Sequence, residues 1–159
     1  IPIIYNTETK KLVAHIDKFN PQLETLVDGA EVTAVFKGPD TYISPSVYKT
    51  KQLPTWNYFI VHITGTIKLI NNPEDAKDTM IAMTKFLEGS KQQLVLDKNN
   101  TSMGRMVNYI QAFSIDISQW EGKFKLSQDK IPEDQERAKL EIIKNSNRPM
   151  EDIINLLYE

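Results

Sequence analysis

Short apolar alternations, interrupted by Asn-Pro, Gly-Pro and single-glycine breaks, dominate the first two thirds of the chain, and helical spacing takes over in between and at the end. Ile1 to Tyr5 reads as a strand, Asn6-Thr7-Glu8-Thr9-Lys10 as a polar turn, and Lys11 to Ile16 as the returning strand. Asn20-Pro21 has the signature of a short helix start, with Asn as cap and Pro in the first helical position. After Gly29, Val32, Ala34 and Phe36 alternate with Thr33 and Val35. Tyr42–Tyr48 and Thr55–Ile70 follow as extended segments, the latter apolar on both faces at its start, as a central strand is. Asn72-Pro73 opens a helix with the stripe Ala76, Met80, Met83, Leu87, and Ser102 caps a second with Met103, Met106, Val107 and Ile110 inside. Strand alternation returns at Phe113, Ile115 and Ile117 and again at Phe124 and Leu126. From Pro132 the pattern is helical to Lys144, and Pro149 opens a last turn-set with Met150, Ile153, Ile154 and Leu157. Six or so strands with late and terminal helices predict a mainly β, α+β fold: an antiparallel barrel with helical decoration.

Composition narrows this further. At 159 residues, 40% apolar and 25% charged, the chain is one globular domain without an internal linker or repeat. Cysteine is absent, which excludes disulfides and thiolate metal sites and points to a reducing, cytoplasmic setting. The net charge of −2 provides no basic stripe for a phosphate backbone. No apolar run approaches the roughly 20 residues that span a bilayer, and without a basic-then-apolar pattern at the start export is not expected. The first residue is Ile1, inside a strand, so a preceding N-terminal segment is expected.

The familiar catalytic constellations are missing: no Gly-rich phosphate loop, no nucleophile elbow, no His-Glu-x-x-His helix. His15 and His62 are too few for a His-rich metal site, and His62, mid-strand among apolar residues, reads as a structural, hydrogen-bonded histidine. At His15-Ile16-Asp17-Lys18-Phe19-Asn20-Pro21 a cation stands between a strand end and a helix N-terminus, where an anion such as phosphate is favoured. An ordinary capped junction explains the same residues. In Lys123-Phe124-Lys125-Leu126-Ser127-Gln128, strand period puts Lys123, Lys125 and Ser127 on one face. They could hold an anionic or carbonyl-rich ligand, and a solvated edge strand accounts for them equally well. Thr55 and Asn57 share a strand face beside Trp56, and with Ser44-Pro45 they supply either a turn and core or the polar wall of a pocket.

Several ordered motifs together carry a resemblance. They are Ala14-His15-x-x-Lys18-x-Asn20-Pro21, Phe36-x-Gly38-Pro39, Tyr42-Ile43-Ser44-Pro45-x-x-Tyr48, Pro54-Thr55-Trp56-Asn57-Tyr58-x-x-Val61-His62 and Gly122-Lys123-x-Lys125-Leu126-Ser127-Gln128. Over roughly residues 1 to 140 the chain resembles the PaiB-like family of FMN-binding transcriptional regulators, of the FMN-binding split β-barrel class. The resemblance implies a split barrel, a homodimer with FMN near the subunit interface, and a repressor of degradative-enzyme and sporulation genes, with DNA contact implied by likeness alone. It also implies an N-terminal helix and strand before Ile1. Carried over by position, Lys18 and Asn20 contact the phosphate with His15 nearby. Ser44, Thr55, Trp56 and Asn57 line the isoalloxazine or ribityl region, and Lys123, Lys125, Ser127 and Gln128 close the site. The chain departs from the family at Val47, where Trp is usual, at Leu23, where an aromatic is usual, and at Asp129, where Asn is usual. Two rival readings use the same scaffold: a flavin reductase or oxidase, and a haem-handling protein with His15 and His62 as axial ligands.

Overall fold

The computed structural model describes residues 1–91 and 93–146. Among them run strands β1 (Ile3–Asn6), β2 (Lys11–Asp17), β3 (Glu31–Ile43), β4 (Thr55–Ile70) and β5 (Ile110–Lys125), with helices α1 (Pro73–Glu88), α2 (Thr101–Met106) and α3 (Pro132–Ser146). The fold is α+β and mainly antiparallel. The turn-set expected after Pro149 lies outside the described residues.

The chain divides into two compact units, Ile1–Ala34 with Ile63–Trp120, and Val35–His62 with the chain from Glu121. All three divisions of the sequence fall inside strands: β3, β4 and β5 each pass from one unit to the other. That is why no linker composition announces them.

The strands form one five-stranded sheet in the order β1-β2-β5-β4-β3. The β1–β2 hairpin pairs Ile3 with Ala14 and Asn6 with Lys11. Its turn is held by the Asn6 carboxamide oxygen, which accepts from the amides of Glu8 and Thr9, while Lys10 takes a left-handed φ of 55°. Antiparallel pairing sets Leu12 opposite Ile115 and Ala14 opposite Phe113, so one face of β2–β5 is a buried apolar layer. The other face is covered by helices. Ala112 is buried with Ala76 and Met80 of α1, Met103 of α2, and Val107. Alternation at Phe113, Ile115 and Ile117 identified only the first of these faces; helix coverage buries Ala112 and Ser114 as well.

Helix α1 starts where Asn72-Pro73 predicts. The Asn72 side chain accepts from the Glu74 and Asp75 amides, and the helix stops at Gly89 with φ 60°. Ala76, Met80 and Met83 are buried, but Leu87 is 66% exposed, one turn past the covered stretch. The cap of α2 is Asn100 rather than Ser102, and Met106 is exposed. Where β4 and β5 approach, a Cβ on Gly65 would overlap the Asp116 carbonyl oxygen, a backbone atom that cannot swing aside. Gly65→Ala is expected to cost about 2 kcal/mol, as overpacking does, and urea unfolding of the variant measures it.

Three expected strand boundaries are corrected. β3 does not break at Gly38-Pro39: it runs unbroken to Ile43. It is the edge strand of the order above, the position in a sheet that tolerates proline. The Phe59 ring occupies the space a Gly38 side chain would fill, and stacks on Phe124 with centroids 5.9 Å apart. The extended segment expected over Tyr42–Tyr48 is instead the end of β3 followed by a 3₁₀ turn, Pro45–Val47. Likewise, the two strands expected around Phe113 and Phe124 are one 16-residue strand. Ile43, Tyr48 and Ala138 form the buried core of this unit, with Val47 and Ile142 packed against it. Val47, at the family's usual Trp position, therefore serves as core.

Candidate functional site

Two segments meet in the second unit to make a buried polar cluster. β4 alternates, so Thr55 and Asn57 face one way and Trp56 the other. Asn57 is fully buried, and its amide nitrogen donates to the Ser127 hydroxyl at 2.9 Å. The Tyr48 hydroxyl lies 2.7 Å from the same Ser127 oxygen. Ser127 itself is buried and holds a left-handed φ of 61°, a costly conformation for a residue with a Cβ. The turn that imposes it is built by Gln128, whose side chain accepts from the Leu126 amide and donates to the Phe124 carbonyl.

Beside this cluster is a cavity of about 310 Å³ lined by Thr55, Asn57, Lys125, Ser127, Asp129 and Lys130, with Gln52, Leu53 and Pro54. Its chemistry is mixed: two ammonium groups, hydroxyl and carboxamide groups, and one apolar wall. Lys130 is ion-paired with Asp129 at 2.8 Å, so the carboxylate that departs from the family pattern is neutralised by its neighbour. The hydrogen bond from Lys130 pulls the Asp129 carboxyl below its ordinary range, and the same bond raises the Lys130 ammonium. The Lys125 ammonium forms no such pair among the described residues.

The floor of the unit rests on a residue that sequence reading missed. Asp134, in the first turn of α3, is fully buried. Its carboxylate accepts from the Lys49 amide at 2.6 Å and from the Thr50 hydroxyl and amide. Burial opposes its ionisation, and those hydrogen bonds outweigh burial, holding its pKa below the usual carboxylate range. A depressed folded pKa stabilises above the unfolded value and loses that contribution as pH falls through the folded one. Stability should therefore decline on acidification below about pH 4, and Asp134→Asn should flatten that part of the profile, measured by thermal unfolding from pH 7 to pH 2.5. Nothing local marked Asp134, because an acidic first helical turn is ordinary; its partners come from residues more than 80 positions away. Tyr48, by contrast, stood in the Tyr-Ile-Ser-Pro-x-x-Tyr motif and could have been found there.

The remaining sequence candidates fall elsewhere. Ser44 is spent on its own turn, accepting from the Ser46 amide and pairing with the Ser46 hydroxyl. Trp56, 51% exposed, donates its indole N–H to Asp40 at 3.0 Å and stands near Tyr42, on a cavity separate from that of Asn57. Lys123 is exposed and outside the cavity, and Gln128 is a turn-builder. His15, Lys18 and Asn20 belong to the first unit. The Lys18 ammonium donates to the Asn108 carbonyl at 2.9 Å, and Asn20 caps a five-residue 3₁₀ turn, too short to supply a helix dipole. His15 is half-buried, and burial lowers its pKa below the ordinary imidazole value. His62 is exposed, which corrects the expectation of an interior, hydrogen-bonded histidine.

These features define an α+β protein of the split-barrel class that includes flavin- and haem-binding proteins. The fold resembles the FAD and heme binding protein from Mycobacterium smegmatis, at 20% identity and a TM-score of 0.56, over 78% of this chain and 58% of that one. It also resembles the flavocytochrome Anf3 from Azotobacter vinelandii, at 14% identity and a TM-score of 0.50, over 72% of this chain and 50% of that one. Residues 1–119 match the family described as "Putative FMN-binding domain", and the chain belongs to that family. It is similar to the protease synthase and sporulation protein PAI 2 of Bacillus subtilis (strain 168), 28% identical over 139 residues, 87% of this chain and 67% of that protein. It is thus an FMN-binding, PaiB-like protein. The cavity described above fits that cofactor by chemistry: ammonium groups suit a phosphate, and clustered amide and hydroxyl groups suit the carbonyl and ring-nitrogen edge of a flavin. Among the described residues, no helix is long and apolar enough to cross a membrane.

Proposed function

We propose that this chain is a cytoplasmic, homodimeric regulator of the PaiB type that holds FMN at the Thr55–Asn57–Lys125–Ser127 cavity. The observation that carries the site is the convergence of strand and turn on one polar cavity whose buried groups are already fixed by mutual hydrogen bonds. Lys125, which has no carboxylate partner among the described residues, supplies positive charge for the phosphate, while Thr55, Asn57 and Ser127 present hydrogen-bonding groups to the flavin. This reading puts the phosphate at Lys125 rather than at Lys18, whose ammonium already has a carbonyl partner.

The regulatory role rests on similarity to the sporulation protein, and the dimer on the split-barrel resemblance. Three measurements test the whole: a visible spectrum and fluorescence titration with FMN, light scattering for subunit number, and a promoter gel shift at low and high salt. Quenching of flavin fluorescence with a mass of two chains and a salt-sensitive shift is expected. A colourless protein that ignores FMN would overturn the site. A monomer would remove the dimer, and steady NAD(P)H-dependent flavin reduction without a gel shift would move the chain to the reductase class.

A further inference from the structure

The first unit contains a second cavity of a different chemical character. α1, α2 and the loop between them line, with β2, a space of about 550 Å³. Its walls include Met80, Met83, Met103, Met106 and Leu96, with Leu87 among the lining residues that remain exposed. Among the described residues, no Asp, Glu, Lys or Arg lines it. Methionine side chains are flexible and polarizable, adapt to irregular shapes, and make favourable sulfur contacts with aromatic edges.

His15 is the one imidazole among the described residues of this lining, whose other polar side chains are Thr84, Asn100 and Ser102. His15 lies on the β2 face opposite Ala14 and Ile16, the face on which Ala112 meets the helices. Its Nδ1 is buried without a hydrogen-bond partner among the described residues, and a buried polar atom in that condition calls for an explanation. A neutral imidazole carries one N–H donor and one acceptor nitrogen, so the ring has both kinds of group to present to a ligand. Burial lowers the pKa of this histidine and keeps it uncharged near neutral pH. An anion entering here would lose its hydration without meeting a counter-charge, a cost an uncharged molecule escapes.

We infer that this Met-lined cavity is a second ligand site, for an uncharged, largely aromatic small molecule with one hydroxyl or amide group that hydrogen-bonds to His15. The volume is within the range of small-molecule pockets, about 300–1,000 Å³. The site shares no lining residue with the cavity proposed for FMN.

The test uses the protein expressed at its full encoded length, with FMN present, and 1-naphthol as probe. Calorimetry should show saturable one-to-one binding, and the His15 imidazole ¹⁵N resonances should shift on titration. Leu87→Trp places bulk on an exposed side chain of the lining and should weaken naphthol at least tenfold while leaving FMN affinity unchanged. His15→Phe should weaken naphthol and spare naphthalene. Absence of saturable binding would overturn the proposal. So would binding unaffected by either substitution, or 1-naphthyl phosphate binding as well as the neutral probe, which would mark an anion site. Because FMN binding is read independently, failure here leaves the flavin site standing, and loss of FMN binding leaves this one.

Discussion

Lys125→Glu should lower FMN affinity about 100-fold, the scale of losing one charge-assisted contact to a phosphate and adding repulsion in its place. Riboflavin, which lacks the phosphate, should lose less than about threefold, the size of a second-order effect at a surface lysine. The difference between the two ligands is the informative quantity, because damage to the fold would weaken both alike. Lys125 is exposed at the end of β5, so its replacement should leave the fold intact. Lys18→Glu serves as the comparison. Its ammonium is bound to the Asn108 carbonyl, and its replacement should leave the FMN-to-riboflavin ratio unchanged. Selective loss of FMN in Lys18→Glu, with none in Lys125→Glu, would move the phosphate to the strand–turn junction.

The second large effect concerns stability. Asn57→Ala should cost about 3 kcal/mol, combining a small cavity with buried hydroxyls deprived of a partner. Asn57 is fully buried, and its partner Ser127 is held against the backbone preference of any residue with a Cβ. Ser127→Gly separates the two contributions, since glycine relieves the left-handed backbone while still removing the hydroxyl. It should therefore be less damaging than Asn57→Ala, although both should impair FMN binding. Chemical denaturation with and without FMN distinguishes them. A Ser127→Gly protein that is less stable than Asn57→Ala would show that the hydroxyl network outweighs the strain.

Elements whose causes are local were legible in the chain. Asn72-Pro73 and Asn20-Pro21 carry both the capping side chain and the preset proline φ, and both start where they were expected to. The β1–β2 hairpin follows from two short alternations around a polar turn. Period-two reasoning also put Thr55 and Asn57 on one face, and the structure brings them to one cavity. The same rule put Trp56 on the opposite face, where it meets Asp40 and Tyr42. The family resemblance names Trp56 together with its neighbours because motifs are read along the chain, whereas cavities are lined by alternate residues.

Other boundaries depended on partners far away. Gly38-Pro39 is a break by local propensity, yet β3 continues through it because an edge strand has a free side and a Phe59 ring covers the glycine. His62 was read as interior from its apolar neighbours in sequence, and the strand's outer face leaves it exposed. Amino-acid order alone determined the α+β class, the capped starts at Pro21 and Pro73, the pairing of Thr55 with Asn57 and the family, since each rests on nearest-neighbour sterics or on motifs read along the chain. Only tertiary structure decided that Ser127 meets Tyr48 and Asn57, that Asp134 is buried and ionised, and that His15 faces methionines. Those arrangements join segments tens of residues apart, and their energies arise from desolvation and hydrogen bonding that exist only once the segments have met.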